Sequence, residues 1–167
     1  LKPRSPSQVH DITHTAVEKI KVIHPITRLI VGGAQQNTID TCTYLSREMY
    51  DAEIIVGPQT GPEGELLSEA GRRGVRLHVI PELVREISPA RDAAALVKMV
   101  SFFRAQKPRI VHTHSSKAGI LGRWAARFAG VPVIVHTVHG WGYHEYQPAH
   151  IRLLYQYLER ITARINQ

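Results

Sequence analysis

Apolar, β-rich runs alternate with helical patterns along most of the chain, and this alternation constrains the fold more than any other feature of the sequence. The runs predict five strands, at 20–27, 52–57, 75–81, 109–114 and 131–138. The predicted helices cover 34–49, 63–73, 116–129 and 149–165. A further helix precedes the fourth strand; Ser88 caps it, Pro89 is its first residue and Pro108 ends it. Strands joined by crossover helices run parallel, and their nearly continuous apolar character indicates a sheet buried on both sides. We therefore predict an α/β fold, a Rossmann-like doubly wound parallel sheet with helices on both faces and strand order 3-2-1-4-5.

Helical spacing also predicts which side chains face the core. The predicted buried stripes are Ile39, Cys42, Leu45 and Met49; Leu96, Val97, Val100 and Phe103; Ile120, Leu121, Trp124 and Phe128; and Ile151, Leu154, Tyr155, Leu158, Ile161 and Ile165. Cys42 is the sole cysteine. A single thiol forms no internal disulfide, which favours a reducing cytoplasm, and a buried core role is expected for it.

Length and charge limit the domain organisation and the partners. The 167 residues fit one domain, at 20–167, preceded by a flexible tail at 1–19. The net charge of +7 favours anionic partners such as nucleic acid, an acidic membrane surface or phosphorylated ligands. The basic residues are dispersed and no nucleic-acid recognition motif is present, so nucleic acid is not expected.

Unusual polar residues, glycines and aromatic residues follow three of the predicted strands. Ligands of open parallel sheets bind beyond the carboxyl ends of the strands, so these residues predict a single site. They are Arg28, Gly32 and Gly33 after strand one; His114, Ser115, Ser116 and Lys117 after strand four; and His139, Gly140, Trp141, Gly142, Tyr143 and His144 after strand five.

Each of these turns suits an anionic or sugar ligand, and each also has a structural interpretation. Gly32 and Gly33 open a helix whose N–H groups would face an anion, or they simply form a tight turn. Ser115 or Ser116 is expected to cap the next helix, and Lys117 adds a charge for a phosphate or acidic sugar. The Trp141 and Tyr143 rings would stack on a sugar or an apolar chain, or pin the loop.

Ten histidines occur in the chain, and their spacing raises the question of a metal site. His112 and His114 alternate on a strand and point to one face, so a metal hydrolase using His112, His114, His136 and His139 is one hypothesis. No Asp or Glu stands near strands four and five before Glu145, and we expect no metal. His112 and His136 are expected to be hydrogen-bonded within the sheet, and His139 to be a functional polar group.

Three segments resemble the amino-terminal half of a family 4 glycosyltransferase of the GT-B fold. They are ITRLIVGGAQQNT, TGPEGELLSEAGRRGVRLHVIPELVREISP and IVHTHSSKAGILGRWAARFAGVPVIVHTVHGWGYH. The resemblance implies an acceptor-binding domain of a retaining glycosyltransferase that uses a nucleotide-sugar, without an essential metal or cofactor. The resemblance also implies a glycan or lipid-linked acceptor and a role in exopolysaccharide biosynthesis. It further implies a location in the cytoplasm or on the inner membrane face.

The same resemblance implies residue roles. His139 would be catalytic and would contact the donor sugar, while Gly32 and Gly33 would lie near the donor diphosphate. The acceptor side would comprise Arg28, His114, Ser115, Ser116, Lys117, Gly140, Trp141, Tyr143 and His144.

One feature of the family is not found in this sequence. The donor half of such enzymes carries two glutamates separated by seven residues, and no two glutamates here stand eight positions apart. The chain is therefore expected to lack the carboxy-terminal nucleotide-sugar domain and to be inactive alone. A split-enzyme subunit, a stand-alone module that binds an anionic sugar or phosphate, and a GT-B epimerase remain alternatives.

Overall fold

The computed structural model describes residues 18–143 and 145–166, which form a five-stranded parallel sheet with helices on both faces. Numbered along the chain, the strands lie in the order 3-2-1-4-5 across the sheet, which confirms the predicted topology. In chain order the elements are β1 (Ile20–Ile26), α1 (Gly33–Tyr44), β2 (Tyr50–Val56), α2 (Leu67–Arg72), β3 (Arg76–Val79), α3 (Pro89–Gln106), β4 (Ile110–His114), α4 (Ser116–Ala129), β5 (Val133–Thr137) and α5 (Ala149–Thr162), which a 3₁₀ turn (Ala163–Ile165) extends. None of the described helices is both long and apolar enough to cross a membrane.

Two hydrophobic clusters cover the two faces of the sheet. On one face, Ile23 and Val111 pack with Met99 and Phe103 of α3 and with Ala125 of α4. On the other face, the sheet packs against α1 and α2, through Ile26, Ile54, Ile39, Cys42, Leu66 and Ala70. Cys42 is buried, as predicted, and burial raises the pKa of its thiol to about 12. It is therefore a core residue and not a thiolate nucleophile at neutral pH.

Two predicted helices are longer than the observed ones. The segment predicted at 34–49 leaves the helix after Tyr44, because the N–H groups of Met49 and Tyr50 bond to the carbonyl of Ser46 in a turn that leads into β2. Met49 is exposed as a result. The helix predicted at 63–73 begins at Leu67, because the preceding segment contains Gly64 in the left-handed region, at φ 73°.

Besides Met49, three more apolar residues that are predicted to face the core are exposed. Val97, Phe128 and Leu154 are 67%, 52% and 42% exposed. In α3 the buried stripe runs through Ala95, Met99 and Phe103, and Val97 lies nearly half a turn around the helix from Met99. Periodicity identified the helices correctly, but it did not fix how each one is rotated against the sheet.

A proline interrupts the pairing between the two central strands. β1 and β4 pair at Val22–Ile110 and Ile23–Val111, and the ladder stops two residues before Pro25. A proline nitrogen has no hydrogen to donate, so a ladder bond there is impossible. On the other side, β1 pairs with β2 as far as Ile26. The carboxyl ends of β1 and β4 are thus free to bond through side chains.

Candidate functional site

The three turns after β1, β4 and β5 line one cavity of about 390 Å³ at the carboxyl edge of the sheet. Its lining is Thr27, Arg28, Ile30, Gln35, Arg85, Ser115, Ser116, Lys117, Trp141, Gly142, Gln147 and Tyr155. The structure therefore places Arg28, Ser115, Ser116, Lys117 and Trp141 in the cavity wall. It places Gly32, Gly33, His114, His139, Gly140 and Tyr143 outside that wall, and His144 falls outside the described residues.

The turn between β4 and α4 is tied to β1 by hydroxyl groups. The Thr27 N–H donates to Ser115 Oγ over 3.2 Å, and the Thr27 and Ser115 hydroxyls lie 2.8 Å apart. Ser115 occupies the N-cap position of α4, but within the described chain its side chain makes no capping bond to that helix. Instead Thr27 Oγ1 accepts the Ala118 N–H over 3.2 Å. The helix start is therefore capped from the turn after β1, which the local sequence did not indicate.

Ser115 also holds a strained backbone conformation. Its φ of 59° and ψ of 161° lie in a region that is populated almost solely by glycine. Such strain persists only where the surrounding structure maintains it, and strained residues are concentrated at functional sites. Here the bonds between Ser115 and Thr27 hold the turn at the cavity wall.

The cations of the cavity are mostly paired. Arg28 is buried and bonds to Glu63 over 3.2 Å and to the Thr60 carbonyl. Lys117 pairs with Asp92 at 2.7 Å and also bonds to the Glu86 carbonyl. Lys117 is thus a partly neutralised group rather than the isolated charge that the sequence suggested, because its partners come from a loop and a helix distant in the sequence.

Arg85 is the more available cation, and the sequence analysis missed it. Its side chain is 70% exposed and its contact with Glu63 is long, at 3.9 Å. It lies in the loop between β3 and α3, where no motif marks it. Gln35, Gln147 and Tyr155 were also missed as cavity residues, and only the assembled fold brings them to this wall.

Three histidines form a continuous chain from the sheet interior to the surface. His24 Nδ1 lies 3.1 Å from His114 Nε2, and His114 Nδ1 lies 3.0 Å from His139 Nε2. His24 and His114 are buried, whereas His139 is exposed. The sequence predicted His114 and His139 at the site but missed His24, whose signal was a histidine before a proline inside an apolar strand.

When the three imidazoles are neutral, the hydrogen bonds of this histidine chain can run in either of two directions. If His24 Nδ1–H donates to His114, then His114 Nδ1–H donates to His139, and His139 keeps its proton on Nδ1. The reverse direction would leave His24 with a buried N–H at Nε2, an atom without a partner among the described residues. Buried unpaired N–H groups are rarer than buried unpaired acceptors, which favours the first direction. His139 then offers its free Nδ1–H as a donor.

Burial keeps these histidines uncharged. Desolvation and the neighbouring His112 lower the pKa of His24 to about 3. Desolvation, followed by His112 and His24, lowers the pKa of His114 to about 2. Desolvation also lowers the pKa of His139. At neutral pH the chain is therefore suited to hydrogen bonding rather than to charge pairing.

The histidines that approach one another differ from the set proposed for a metal hydrolase. His24, His112 and His114 each have a ring nitrogen within 4.8 Å of the others, and this is the candidate metal-binding group of the described chain. His136 instead bonds to Thr113 at 2.9 Å, and His112 bonds to Thr137 at 2.7 Å, as expected for histidines within a sheet. An ion held by all three rings would compete with the His24–His114 hydrogen bond.

The loop after β5 approaches α4 so closely that it requires a glycine. A Cβ added to Gly142 would lie 2.3 Å from Ser116 Oγ and 2.7 Å from its Cβ. Beside it, the Trp141 and Tyr143 rings are 5.4 Å apart, and Trp141 is 60% exposed. The Trp141 ring thus lines the cavity with much of its surface accessible to a ligand.

Gly32 and Gly33 begin α1, and only one flexible side chain crowds them: a Cβ added to Gly32 would lie 2.7 Å from Gln35 Oε1. Gly32 is extended, at φ 178°. A Cβ added to Gly33 would have no described atom within 4 Å, apart from its chain neighbours and its own helix. The space beside Gly33 is therefore open, whereas the start of α4 is partly filled by Thr27.

Solved structures with the same fold contain Rossmann-like domains of the GT-B type. A glycosyltransferase from Rickettsia africae matches with a TM-score of 0.60 at 19% identity, over 87% of this chain and 35% of that chain. A UDP-GlcNAc 2-epimerase from Neisseria meningitidis, bound to UDP-GlcNAc, matches with a TM-score of 0.59 at 13% identity, over 90% of this chain and 39% of that chain. At these identities the likeness concerns the fold.

The family follows from the sequence comparison. The chain belongs to the glycosyl transferase 4-like domain family, whose model matches residues 32–165. It is 37% identical over 146 residues to the UDP-Gal:alpha-D-GlcNAc-diphosphoundecaprenol alpha-1,3-galactosyltransferase of Escherichia coli. That match covers 87% of this chain but 36% of the relative, so the chain spans about a third of the relative's length.

Proposed function

We propose that this domain is the acceptor-binding part of a retaining glycosyltransferase, which transfers a sugar from a nucleotide-sugar to a lipid-linked or polysaccharide acceptor. The observation that carries the proposal is the single cavity lined by the turns after β1, β4 and β5. Its hydroxyl, guanidinium and indole groups suit a phosphorylated sugar. The printed activity of the Escherichia coli relative, on a diphosphoundecaprenol-linked sugar, supports the same class of acceptor.

The acceptor would enter the cavity from the solvent side. Ser116 would bond to sugar hydroxyls, Trp141 would stack on a sugar face, and Arg85 would attract the acceptor phosphates. Arg28 and Lys117 would contribute through their remaining N–H donors, since each is already paired with a carboxylate. Ser115 would act mainly by holding the turn.

The donor would be bound mostly by a second domain, for which the remaining length of the relative leaves room. From this domain, the helix start at Gly32 and Gly33 would face the donor diphosphate. His139 would donate its Nδ1–H to the donor sugar as an uncharged group, with its ring fixed by His114. A donor that is already oriented holds the sugar in one position for the reaction, and the histidine chain orients His139.

A peripheral position on the cytoplasmic face of the inner membrane is part of the proposal. The net charge of +7 favours an anionic lipid surface. Helix α5 adds Leu153 and Tyr157, which are exposed, together with Arg152 and Arg160. Such a mixture of apolar and basic side chains is typical of surfaces that contact lipid headgroups.

A chimera tests the proposed activity. The aligned segment of the Escherichia coli relative would be replaced by the matching 146 residues of this chain. Transfer of labelled galactose from UDP-galactose to a GlcNAc-diphospho-lipid would then be measured. We expect transfer, and we expect His139→Ala to reduce kcat at least tenfold with the circular dichroism spectrum unchanged. His150→Ala, in an exposed histidine of α5, is the matched control and should retain full activity. A folded chimera whose transfer is insensitive to His139→Ala would remove His139 from the proposal.

A further inference from the structure

An apolar groove between α4 and α5 opens beside the cavity. It has a volume of about 90 Å³ and is lined by Ile87, Asp92, Lys117, Ile120, Leu121, Leu154, Tyr155 and Leu158. Lys117 and Tyr155 also line the main cavity, so the two spaces share a wall. The two spaces therefore lie side by side, separated by Lys117 and Tyr155.

The charges of the groove are confined to one ion pair. Lys117 and Asp92 lie 2.7 Å apart and are only 10% and 21% exposed, so their charges largely cancel at the boundary with the cavity. The other lining residues are five aliphatic side chains and one tyrosine. Along the aliphatic walls a polar or charged molecule would lose hydration without gaining hydrogen bonds.

The two helices that form the groove are fixed to each other beyond it. Arg123 of α4 bonds to Glu159 of α5 over 2.6 Å, and Trp124 Nε1 donates to Thr162 over 3.1 Å. The groove is thus a built feature of the helix pair. Its apolar walls nevertheless remain partly in water, since Ile87 is 49% and Leu154 is 42% exposed. Covering them with an apolar ligand would be favourable.

We propose that this groove binds the isoprenoid units nearest the diphosphate of a polyprenyl-linked acceptor, while the diphosphate and the sugar occupy the main cavity. The inference rests on the proposed function for the identity of the acceptor. The two spaces are adjacent and differ in chemistry: hydroxyl and guanidinium groups line one, and aliphatic side chains line the other. An anionic head joined to an apolar chain is the ligand that satisfies both.

Binding of farnesyl diphosphate and of inorganic pyrophosphate to the 167-residue chain tests the proposal, by titration calorimetry below the micelle concentration. We expect farnesyl diphosphate to bind at least tenfold more tightly, since each buried methylene contributes about a fourfold gain in affinity. Equal affinities for the two ligands would overturn the proposal.

Two neighbouring leucines provide a matched pair of variants. Leu154 lines the groove, whereas Leu153 is 60% exposed and does not belong to the lining. Leu154→Asn should abolish most of the preference for farnesyl diphosphate and leave pyrophosphate binding unchanged, and Leu153→Asn should retain the preference. Equal losses in both variants would mean adsorption on the outer face of α5 and would overturn the groove assignment. Binding of the two variants to phosphatidylglycerol vesicles would also be measured. If both variants lose vesicle binding but keep the preference for farnesyl diphosphate, the groove proposal is overturned in favour of a membrane contact.

The transfer assay separates this inference from the proposed function. If farnesyl diphosphate binds as described but the chimera transfers no sugar, the groove stands and the assignment as a transferase fails. If the chimera uses acceptors with and without an isoprenoid chain at equal kcat/KM, the transferase assignment stands and the groove proposal is overturned.

Discussion

Ser115 combines a strained backbone with a bonded hydroxyl, and the two contributions can be separated by substitution. Ser115→Ala keeps the unfavourable φ of 59° and loses both bonds to Thr27. It should lower the free energy of unfolding by about 1–3 kcal/mol. Ser115→Gly loses the same bonds but relieves strain of order 1–3 kcal/mol, so it should be the more stable of the two variants.

Urea unfolding of both Ser115 variants measures this order. Ser116 is the matched control, because it lies within α4 in helical conformation. There Ser116→Gly should be no more stable than Ser116→Ala, because glycine relieves no strain at a helical φ and loses more backbone entropy on folding. A Ser115→Gly protein less stable than Ser115→Ala would contradict the assignment of strain to this residue.

His139 provides a second prediction for a single residue. The hydrogen-bond chain through His114 predicts that neutral His139 carries its proton on Nδ1 and accepts at Nε2. Nitrogen-15 NMR of the imidazole rings distinguishes the two tautomers directly. Finding the proton of His139 on Nε2 at neutral pH would reverse the chain and remove the free Nδ1–H donor.

At the scale of elements, the alternation of strands and helices predicted the sheet and its order, because short crossover connections leave few topologies. The rotation of the helices was less predictable. Val97 and Phe128 fit an apolar stripe in the sequence, yet both are exposed, because the neighbouring element decides which part of a broad stripe is covered. The Pro25 interruption and the capping of α4 by Thr27 also depend on contacts between strands.

The same reasoning explains which parts of the site were predictable. The turns after β1, β4 and β5 meet because their strands are adjacent and parallel, and the sequence alone indicated this. The pairing of Lys117 with Asp92 and of Arg28 with Glu63 was not predictable, because loop and helix positions set these contacts. His24 was missed because it lies inside a strand and becomes part of the site only through His114.

The attachment of α5 to α4 depends on a buried ion pair. Arg123 is 1% exposed, and its guanidinium bonds to Glu159 over 2.6 Å. Arg123→Ala leaves the Glu159 carboxylate without its charged partner, so it should reduce the free energy of unfolding by about 3–5 kcal/mol. Replacing both residues by Met should cost clearly less, since no unpaired charge remains.

Denaturant unfolding of these variants measures the effect, with Arg127→Ala as the control. Arg127 is exposed in the last turn of the same helix, and its removal should change stability by less than about 0.5 kcal/mol. Similar stabilities for Arg123→Ala and Arg127→Ala would contradict a structural role for the ion pair.

At the scale of the whole molecule, buried neutral histidines predict a loss of stability in mild acid. The pKa values of His24 and His114 are held at about 3 and about 2 by burial and neighbouring imidazoles, against about 6.5 for an unfolded histidine. Between pH 6.5 and about 3 the unfolded chain therefore binds more protons, and the free energy of unfolding falls as the pH falls. From pH 7 to pH 5 the two residues together should account for a loss of about 3–4 kcal/mol.

Urea midpoints at pH 7 and pH 5 check this prediction. A His24→Asn variant should start from a lower stability but show a shallower fall, because one of the two titrating groups is gone. Equal midpoints for the native sequence at the two pH values would mean that these histidines are accessible to protons in the folded state.

The central claim is that one edge of the sheet forms a single acceptor site. Titration of the nitrogen-15-labelled chain with a soluble N-acetylglucosaminyl diphosphate tests it most directly, by mapping the backbone amides whose chemical shifts change. We predict that the shifts cluster at 27–35, at Arg85, at 115–118 and at 139–147. Shifts centred on the opposite edge, around Lys107 and Gly130, would contradict the account.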